Sequence, residues 1–279
     1  MARTVVFVHG AWVAPACWDS FRSRFESRGY SCLAPAWPYE GRPIEELRSN
    51  PAPELGRVGI PEIVEHHAKV VAALPEPPVL VGHSFGGLFV QMLLDRGLGA
   101  AGVAIDPAPP RGVLPGPHAF RFSLPAVATW RGWRKVLTIP PDRFAWGFCH
   151  TLPEAEQRKI YERHVVPTPG RIFFQAAVGA GTKVNFRNAS RAPLLITAGE
   201  LDRAVDARMN RSNFRKYRRS PAVTDFEEFS GRTHWLIAGP GWEEVADVVL
   251  DWLDRSGPAL TSIPQADVAD GEAVAPGPD

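Results

Sequence analysis

The sequence PVLVGHSFGG, Pro78–Gly87, places a single serine between glycines, directly after a run of apolar residues. The pattern G-H-S-F-G over residues 82–86 is typical of a nucleophile elbow. In this turn a strand bends tightly into a helix, and Ser84 would be held in a strained conformation with its hydroxyl in a cleft. Side chains two positions away on either side would collide with the turn, so glycine is needed at both positions.

The same residues also suit an ordinary turn, because serine and glycine are common where the chain reverses. The flanking sequence favours the elbow instead. An apolar strand precedes it, and LFVQMLL, residues 88–94, predicts a helix after it. We therefore predict a strand, a serine turn and a helix in direct succession.

Length, charge and cysteine content restrict the class of protein. The chain has 279 residues, enough for one large α/β domain or two small ones, and its formal net charge of +1 disfavours a general polyanion binder. Cys17, Cys32 and Cys149 are odd in number and widely spaced, so they predict neither a disulfide framework nor a zinc cluster. A strand begins almost at once, and no apolar run approaches the length of a membrane span, so a soluble cytoplasmic protein is expected.

Short apolar runs alternate with helical patterns along most of the chain. Strands are predicted at residues 5–8, 32–34, 79–81, 103–105, 194–197 and 224–229, helices at 18–28, 60–74 and 242–253, and an irregular surface segment at 41–59. Such alternation predicts an α/β fold with a mostly parallel sheet flanked by helices.

The alternation of strand and helix patterns stops in the middle of the chain and again at its end. Residues 107–192 are rich in proline and aromatic residues, which predicts a helical cap inserted into a core of residues 1–106 and 193–255. A separate small domain or a long helical connection would also fit this segment. Residues 256–279 lack periodicity and are expected to be a disordered tail.

A serine nucleophile needs a base and an acid that orients the base. The sequence LLITAGELD, residues 194–202, is a strand that ends in a turn with Asp202 as the candidate acid. Asp106 directly follows an earlier strand and competes for this role. Asp206 is expected to belong to the next helix.

The candidate base is His234, in SGRTHWL at residues 230–236, because it is the only one of eight histidines beyond Asp202. His66 and His67 fall on a predicted helix, where we expect partial exposure and no metal site. The three histidines of the predicted cap, at positions 118, 150 and 164, are expected to have core or surface roles, with substrate contact as the alternative.

The first predicted strand ends in HGAW, residues 9–12, where a tight turn could aim backbone amides at the nucleophile. We expect the amides of Ala11 and Phe85 to form an oxyanion hole, with Trp12 as an alternative first donor. His9 is expected to brace this turn rather than to take part in chemistry.

Four motifs, HGAW, GHSFGG, GELD and GRTHW, together resemble the α/β-hydrolase superfamily over about residues 4–254. In these motifs the chain is similar to compact esterases, plant methylesterases and cofactor-free haloperoxidases. The resemblance implies Ser84 as nucleophile, Asp202 as acid and His234 as base. It also implies acyl transfer through an acyl-enzyme followed by attack of water. We expect neither a cofactor nor a metal.

Differences from related families narrow the choice of reaction class. Epoxide hydrolases and haloalkane dehalogenases place aspartate where Ser84 stands. Hydroxynitrile lyases typically have threonine where Gly10 lies and lysine just after the histidine, where this chain has Trp235. The chain also begins directly with the HG strand, so we expect it to lack one or two leading strands of larger members.

The aromatic content of the predicted cap indicates a bulky apolar or aromatic substrate, an ester, lactone or thioester, in contact with Trp130, Trp146 and Trp235. Two alternatives stay open: another reaction on the same fold (C–C cleavage, cyclisation or acyl transfer), or a ligand-binding receptor with vestigial activity. The expected partner is a small-molecule substrate, without nucleic acid or membrane, and the oligomeric state is open. The basic segment 203–219 is expected to be a solvated face.

Overall fold

A six-stranded sheet forms the centre of the protein in the computed structural model, in which residues 3–256 are described. Its strands are all parallel and lie in the order β2-β1-β3-β4-β7-β8. The strands are β1 Thr4–Val8, β2 Ser31–Leu33, β3 Val79–His83, β4 Ala101–Ile105, β5 Val136–Leu137, β6 Thr168–Pro169, β7 Leu194–Gly199 and β8 Thr224–Phe229. The short β5 and β6 pair separately as an antiparallel ribbon. The predicted α/β class with a mostly parallel sheet is confirmed.

Ten helices accompany the strands within residues 3–256. They are α1 Asp19–Glu26, α2 Ile44–Ser49, α3 Ile60–Ala72, α4 Phe85–Asp95, α5 Pro117–Ala128, α6 Pro141–Phe148, α7 Glu154–His164, α8 Arg171–Val178, α9 Ala207–Lys216 and α10 Trp242–Ser256. Helix α4 packs on β3 and β4, α9 packs on β7 and β8, and α1 packs on α10. Four helices and the ribbon lie between β4 and β7, a stretch called here the β4–β7 segment.

The central strands are short and buried along their whole length. Every residue of β3 and β4 is buried, and Val81 lies in register between Phe7 and Val103. A parallel strand covered on both faces needs side chains that suit the interior on both sides, which explains the continuous apolar runs. Because the strands are parallel, their carboxyl ends meet at one edge, where the candidate site lies.

Two local expectations from the sequence are wrong. Residues 41–59 are not irregular throughout, since they contain α2 and a 3₁₀ turn over Pro53–Arg57. Leu47 of α2 is buried, and the Arg48 side chain donates hydrogen bonds to the carbonyls of Tyr161 and Val165, at 2.7 and 2.6 Å. These distant contacts stabilise a helix that is too short to be stable alone.

The second correction concerns α3, where His66 and His67 were both expected to be partly exposed. His66 is half-buried, but His67 is fully buried. The His67 Nδ1 pairs with the carbonyl oxygen of Ile63, 2.9 Å away on the preceding turn. This bond satisfies one ring nitrogen and lets the imidazole lie on the inner face of the helix.

No helix of residues 3–256 is both long and apolar enough to cross a membrane. The expected disordered tail falls outside the described residues, apart from Ser256 at the end of α10. The division into a core and a cap stays a prediction.

Candidate active site

Ser84 occupies the sharp turn between β3 and α4. Its backbone has φ 58° and ψ −122°, in the left-handed half of conformational space that residues with a Cβ rarely enter. The Ser84 amide donates to the Ile105 carbonyl at 3.0 Å, and its own carbonyl accepts from Gly87 and Ala108 at 3.0 and 2.9 Å. These bonds hold the strained residue in place.

Three glycines make room for this turn. A Cβ at Gly82 would collide with the carbonyl oxygen of Gly86, and a Cβ at Gly86 would collide with that of Val8. At Gly10 a Cβ would lie 2.7 Å from the Cβ of Ser84. The end of β1, around Val8 and Gly10, therefore lies closer to the turn at Ser84 than side chains at these glycines would permit. This is the physical reason for glycine at positions 82 and 86.

The residues of the predicted oxyanion hole share a cavity with Ser84. Ala11, Trp12 and Phe85 line the same cavity as Ser84. Trp12 has a left-handed backbone, with φ 63°. Within residues 3–256, the Ala11 and Trp12 amides donate to no protein acceptor, and Phe85 is the first residue of α4, where amides have no partner inside the helix. Donors without partners at this point could bind a developing negative charge.

His234 and Asp202 form a short, buried hydrogen bond. The His234 Nδ1 lies 2.6 Å from Asp202 Oδ2. The other carboxylate oxygen, Oδ1, accepts from the amides of Ala204 and Val205 at 2.7 and 2.8 Å. Asp202 is 3% exposed and His234 is 0% exposed. The ring orientation and the tautomer with a proton on Nδ1 are set by this bond, which leaves Nε2 as the free acceptor.

The loop that carries His234 packs against the elbow. The His83 Nε2 lies 2.8 Å from the His234 carbonyl oxygen, and the two rings are 4.4 Å apart between centroids. The His234 Nε2 is buried without a hydrogen-bond partner in residues 3–256, so it makes no hydrogen bond with Ser84 Oγ in this state. Hydrogen bonds of this kind are often long without substrate and tighten on binding.

Burial controls the protonation of the site. It lowers the pKa of His234 to about 3, so the imidazole is neutral at neutral pH and can accept a proton. Burial raises the pKa of Asp202, whereas the hydrogen bonds from Ala204 and Val205 act against that rise. Asp106 is also buried here, with its Oδ2 at 4.0 Å from the His234 Nδ1.

His234 and Asp202 form an internal hydrogen-bonded pair, and Asp106 lies beside it. The His234 Nδ1 and both oxygens of Asp202 are already engaged by protein groups. The expectations that the site needs neither a metal nor a cofactor stay predictions.

An apolar cavity of about 290 Å³ opens beside Ser84. Its aromatic walls come from Trp12, Phe85, Phe122, Phe148 and Phe173. The Trp12 ring stacks on that of Phe173 at 4.5 Å and meets that of Phe122 edge-on at 5.6 Å. Arg111 is the single charged residue among the described residues of its wall.

The three tryptophans predicted to contact substrate lie outside this cavity. Trp130 is 79% exposed. Trp146 lines a different surface pocket, with Asp142 and His150. Trp235 is buried against Phe148, with its amide donating to the Phe148 carbonyl at 2.9 Å.

Phe122, Phe148 and Phe173 belong to the aromatic residues of the predicted cap, but the sequence singled out three tryptophans rather than these as contact residues. They come from α5, α6 and α8, so no single period in the sequence connects them. The one available signal was that each lies on a helix with a buried face, which does not distinguish a cavity wall from a core.

Comparison with known proteins agrees with this architecture. A family model described as the alpha/beta hydrolase family matches residues 5–252. The chain belongs to the α/β-hydrolase family. Among the curated proteins compared with this α/β-hydrolase, none matches it.

Solved structures resemble this α/β-hydrolase over most of its length. A monoacylglycerol lipase from Paleococcus ferrophilus has a TM-score of 0.65 at 20% identity, over 91% of this chain and 95% of that chain. Tomato methylketone synthase I in complex with 2-tridecanone has a TM-score of 0.66 at 17% identity, over 92% and 99%. The pyrethroid hydrolase PytH has a TM-score of 0.65 at 19% identity, over 91% and 98%. At these identities the likeness establishes the shared fold alone.

Proposed function

We propose that this α/β-hydrolase is a serine hydrolase that cleaves a carboxylic ester, lactone or thioester of a bulky apolar or aromatic small molecule. The observation that carries the proposal is the strained Ser84, which faces an apolar cavity beside unpartnered backbone amides. The His234–Asp202 pair packs against the residue before Ser84 and offers a base with its free nitrogen.

The proposed chemistry follows from these positions. The His234 Nε2 takes the Ser84 proton as the hydroxyl oxygen attacks the substrate carbonyl carbon, and Asp202 stabilises the imidazolium through Nδ1. The amides of Ala11 and Phe85, or of Trp12, hold the oxyanion, and losing one such donor commonly costs about 3 kcal/mol. His234 then protonates the leaving alkoxide or thiolate, and later activates the water that hydrolyses the acyl-enzyme.

The cavity supports an apolar substrate. Its wall combines five aromatic side chains with aliphatic ones such as Val113, Val127 and Met209. Apolar walls of this kind select by shape and by removal of water, and few polar groups remain to orient the substrate. Other than Ser84, Ser123 supplies the one further side-chain hydroxyl among the described wall residues.

A fluorophosphonate probe followed by intact-mass analysis tests the nucleophile. We expect one covalent adduct on the wild-type protein and on Ser123→Ala, and none on Ser84→Ala, with all three giving the same circular dichroism spectrum. An adduct on folded Ser84→Ala would refute the assignment of the nucleophile.

A panel of p-nitrophenyl esters tests the reaction. We expect turnover to rise from acetate to bulky aryl or branched esters, and to be lost in Ser84→Ala and His234→Ala. Adduct formation without turnover of any ester, lactone or thioester would count against hydrolysis and for another reaction of the same nucleophile.

A further inference from the structure

Two buried carboxyl groups lie at the candidate active site. An oxygen of Asp106, an oxygen of Asp202 and a ring nitrogen of His234 all lie within 4.8 Å of one another. Asp106 directly follows β4 and is 0% exposed, and Asp202 lies just beyond the end of the neighbouring strand β7 and is 3% exposed. Two ionised carboxylates this close and this deeply buried repel one another and are poorly solvated, so we expect one of them to hold a proton.

The hydrogen bonds of the two groups distinguish them. Both oxygens of Asp202 accept hydrogen bonds, from two backbone amides and from His234. Asp106 accepts a single hydrogen bond, from the Gly199 amide to Oδ1 at 2.9 Å. Its Oδ2 is buried with no donor in residues 3–256. The anionic form is therefore better stabilised on Asp202, and the neutral form is better suited to Asp106.

We propose that Asp106 is a protonated positioning residue, whose Oδ2–H donates a hydrogen bond to Asp202 and steadies the carboxylate that orients His234. The inference rests on the proposed function for its kinetic consequences, but the protonation itself does not depend on it. A proton gives the orphaned Oδ2 a partner and leaves the pair with a single negative charge.

The other charged groups near the two carboxyl groups also favour a protonated Asp106. Glu228 of β8 and Asp206 at the start of α9 both add negative potential. Glu228 is paired with Arg211, and Asp206 accepts from the Ala119 amide and lies 3.3 Å from His118. Burial first, and then the proximity of Asp202, raise the pKa of Asp106. No described cation pairs with the Asp106 carboxyl group.

The backbone conformation of Asp106 is unusual and supports a positioning role. Its φ of 43° is left-handed, which strains a residue with a side chain. The position also brings the carboxyl within 4.0 Å of the His234 Nδ1. If Asp202 were neutral, Asp106 could release its proton and serve as the acid in its place.

Infrared spectroscopy tests the proton directly. We expect the wild-type protein at neutral pH to show a protonated-carboxyl C=O band that Asp106→Asn removes in the difference spectrum. Glu40 is a buried carboxyl away from this pair whose pKa burial also raises, so Glu40→Gln is the matched control and should remove a different band. No band lost in folded Asp106→Asn would overturn the proposal. This measurement needs no activity, so it still decides the matter if Ser84 is not the nucleophile.

A double-mutant cycle tests the coupling. We expect Asp106→Asn to lower kcat/KM two- to five-fold, because the amide still donates to Asp202. In Asp202→Asn, Asp106 ionises beside His234, and adding Asp106→Asn should lower kcat/KM at least a further 20-fold. Equal effects of Asp106→Asn in the two backgrounds would show a merely structural residue and would overturn the proposed coupling.

Discussion

The ring of His83 connects the elbow to the loop of the candidate base. Its Nε2 lies 2.8 Å from the carbonyl oxygen of His234, across 151 positions of sequence. His83 is the last residue of β3 and directly precedes Ser84. The hydrogen bond therefore links the two chain segments that carry Ser84 and His234, whose side chains would meet in the proposed proton transfer.

Removing this hydrogen bond should slow the reaction without unfolding the protein. We expect His83→Phe to lower the rate of fluorophosphonate labelling of Ser84 about ten-fold or more, because the His234 carbonyl loses its buried donor. His83→Gln places an amide donor at a similar reach and should recover part of the rate. Equal rates in the Phe and Gln variants, at equal thermal stability, would contradict this role.

The elbow should not tolerate even one methyl group. Gly86→Ala brings a Cβ into the carbonyl oxygen of Val8, so we expect a loss of at least 2 kcal/mol in the free energy of unfolding, or no folded protein. Gly41→Ala is the matched control, because nothing lies within 4 Å of its Cβ position. Urea titration of both variants gives the comparison, and equal stabilities would show that the turn can relax.

The cavity wall predicts which aromatic residues affect substrate choice. Phe173→Leu widens the space beside Trp12, so we expect KM for a bulky aryl ester to change several-fold while KM for the acetate ester changes little. Trp130→Leu alters an exposed tryptophan outside the cavity and should leave both values within two-fold. A large change of KM in Trp130→Leu, with both KM values unchanged in Phe173→Leu, would instead identify Trp130 as the contact residue.

A buried neutral histidine makes stability depend on pH. Burial lowers the pKa of His67 to about 4, from an unfolded value of 6.5. Between these pH values the unfolded chain binds the proton and the folded chain does not, so stability falls as pH falls.

We expect His67→Gln to remove this part of the loss, about 2 kcal/mol between pH 7.5 and pH 5. Urea unfolding of both proteins across that range measures it. Parallel stability curves for the variant and the wild type would refute the prediction.

Much of the fold was predictable because its signals are local. Short apolar runs indicated buried parallel strands, and the glycines beside Ser84 indicated a turn with no room for side chains. The two local errors have one cause. Helix α2 and the burial of His67 depend on contacts with residues far away in the sequence, which no local pattern reveals.

The sequence by itself predicted the turn at Ser84 and the short strands of the sheet, since the signal for each lies within a few neighbouring positions. Only the tertiary structure decided which carboxyl group meets His234 and which aromatic residues form the cavity wall. Asp106 and Asp202 each follow a strand, and the pairing of β4 with β7 brings both to the imidazole. The wall is assembled from separate helices of the β4–β7 segment, whose packing is set by long-range burial of apolar surface rather than by any local pattern.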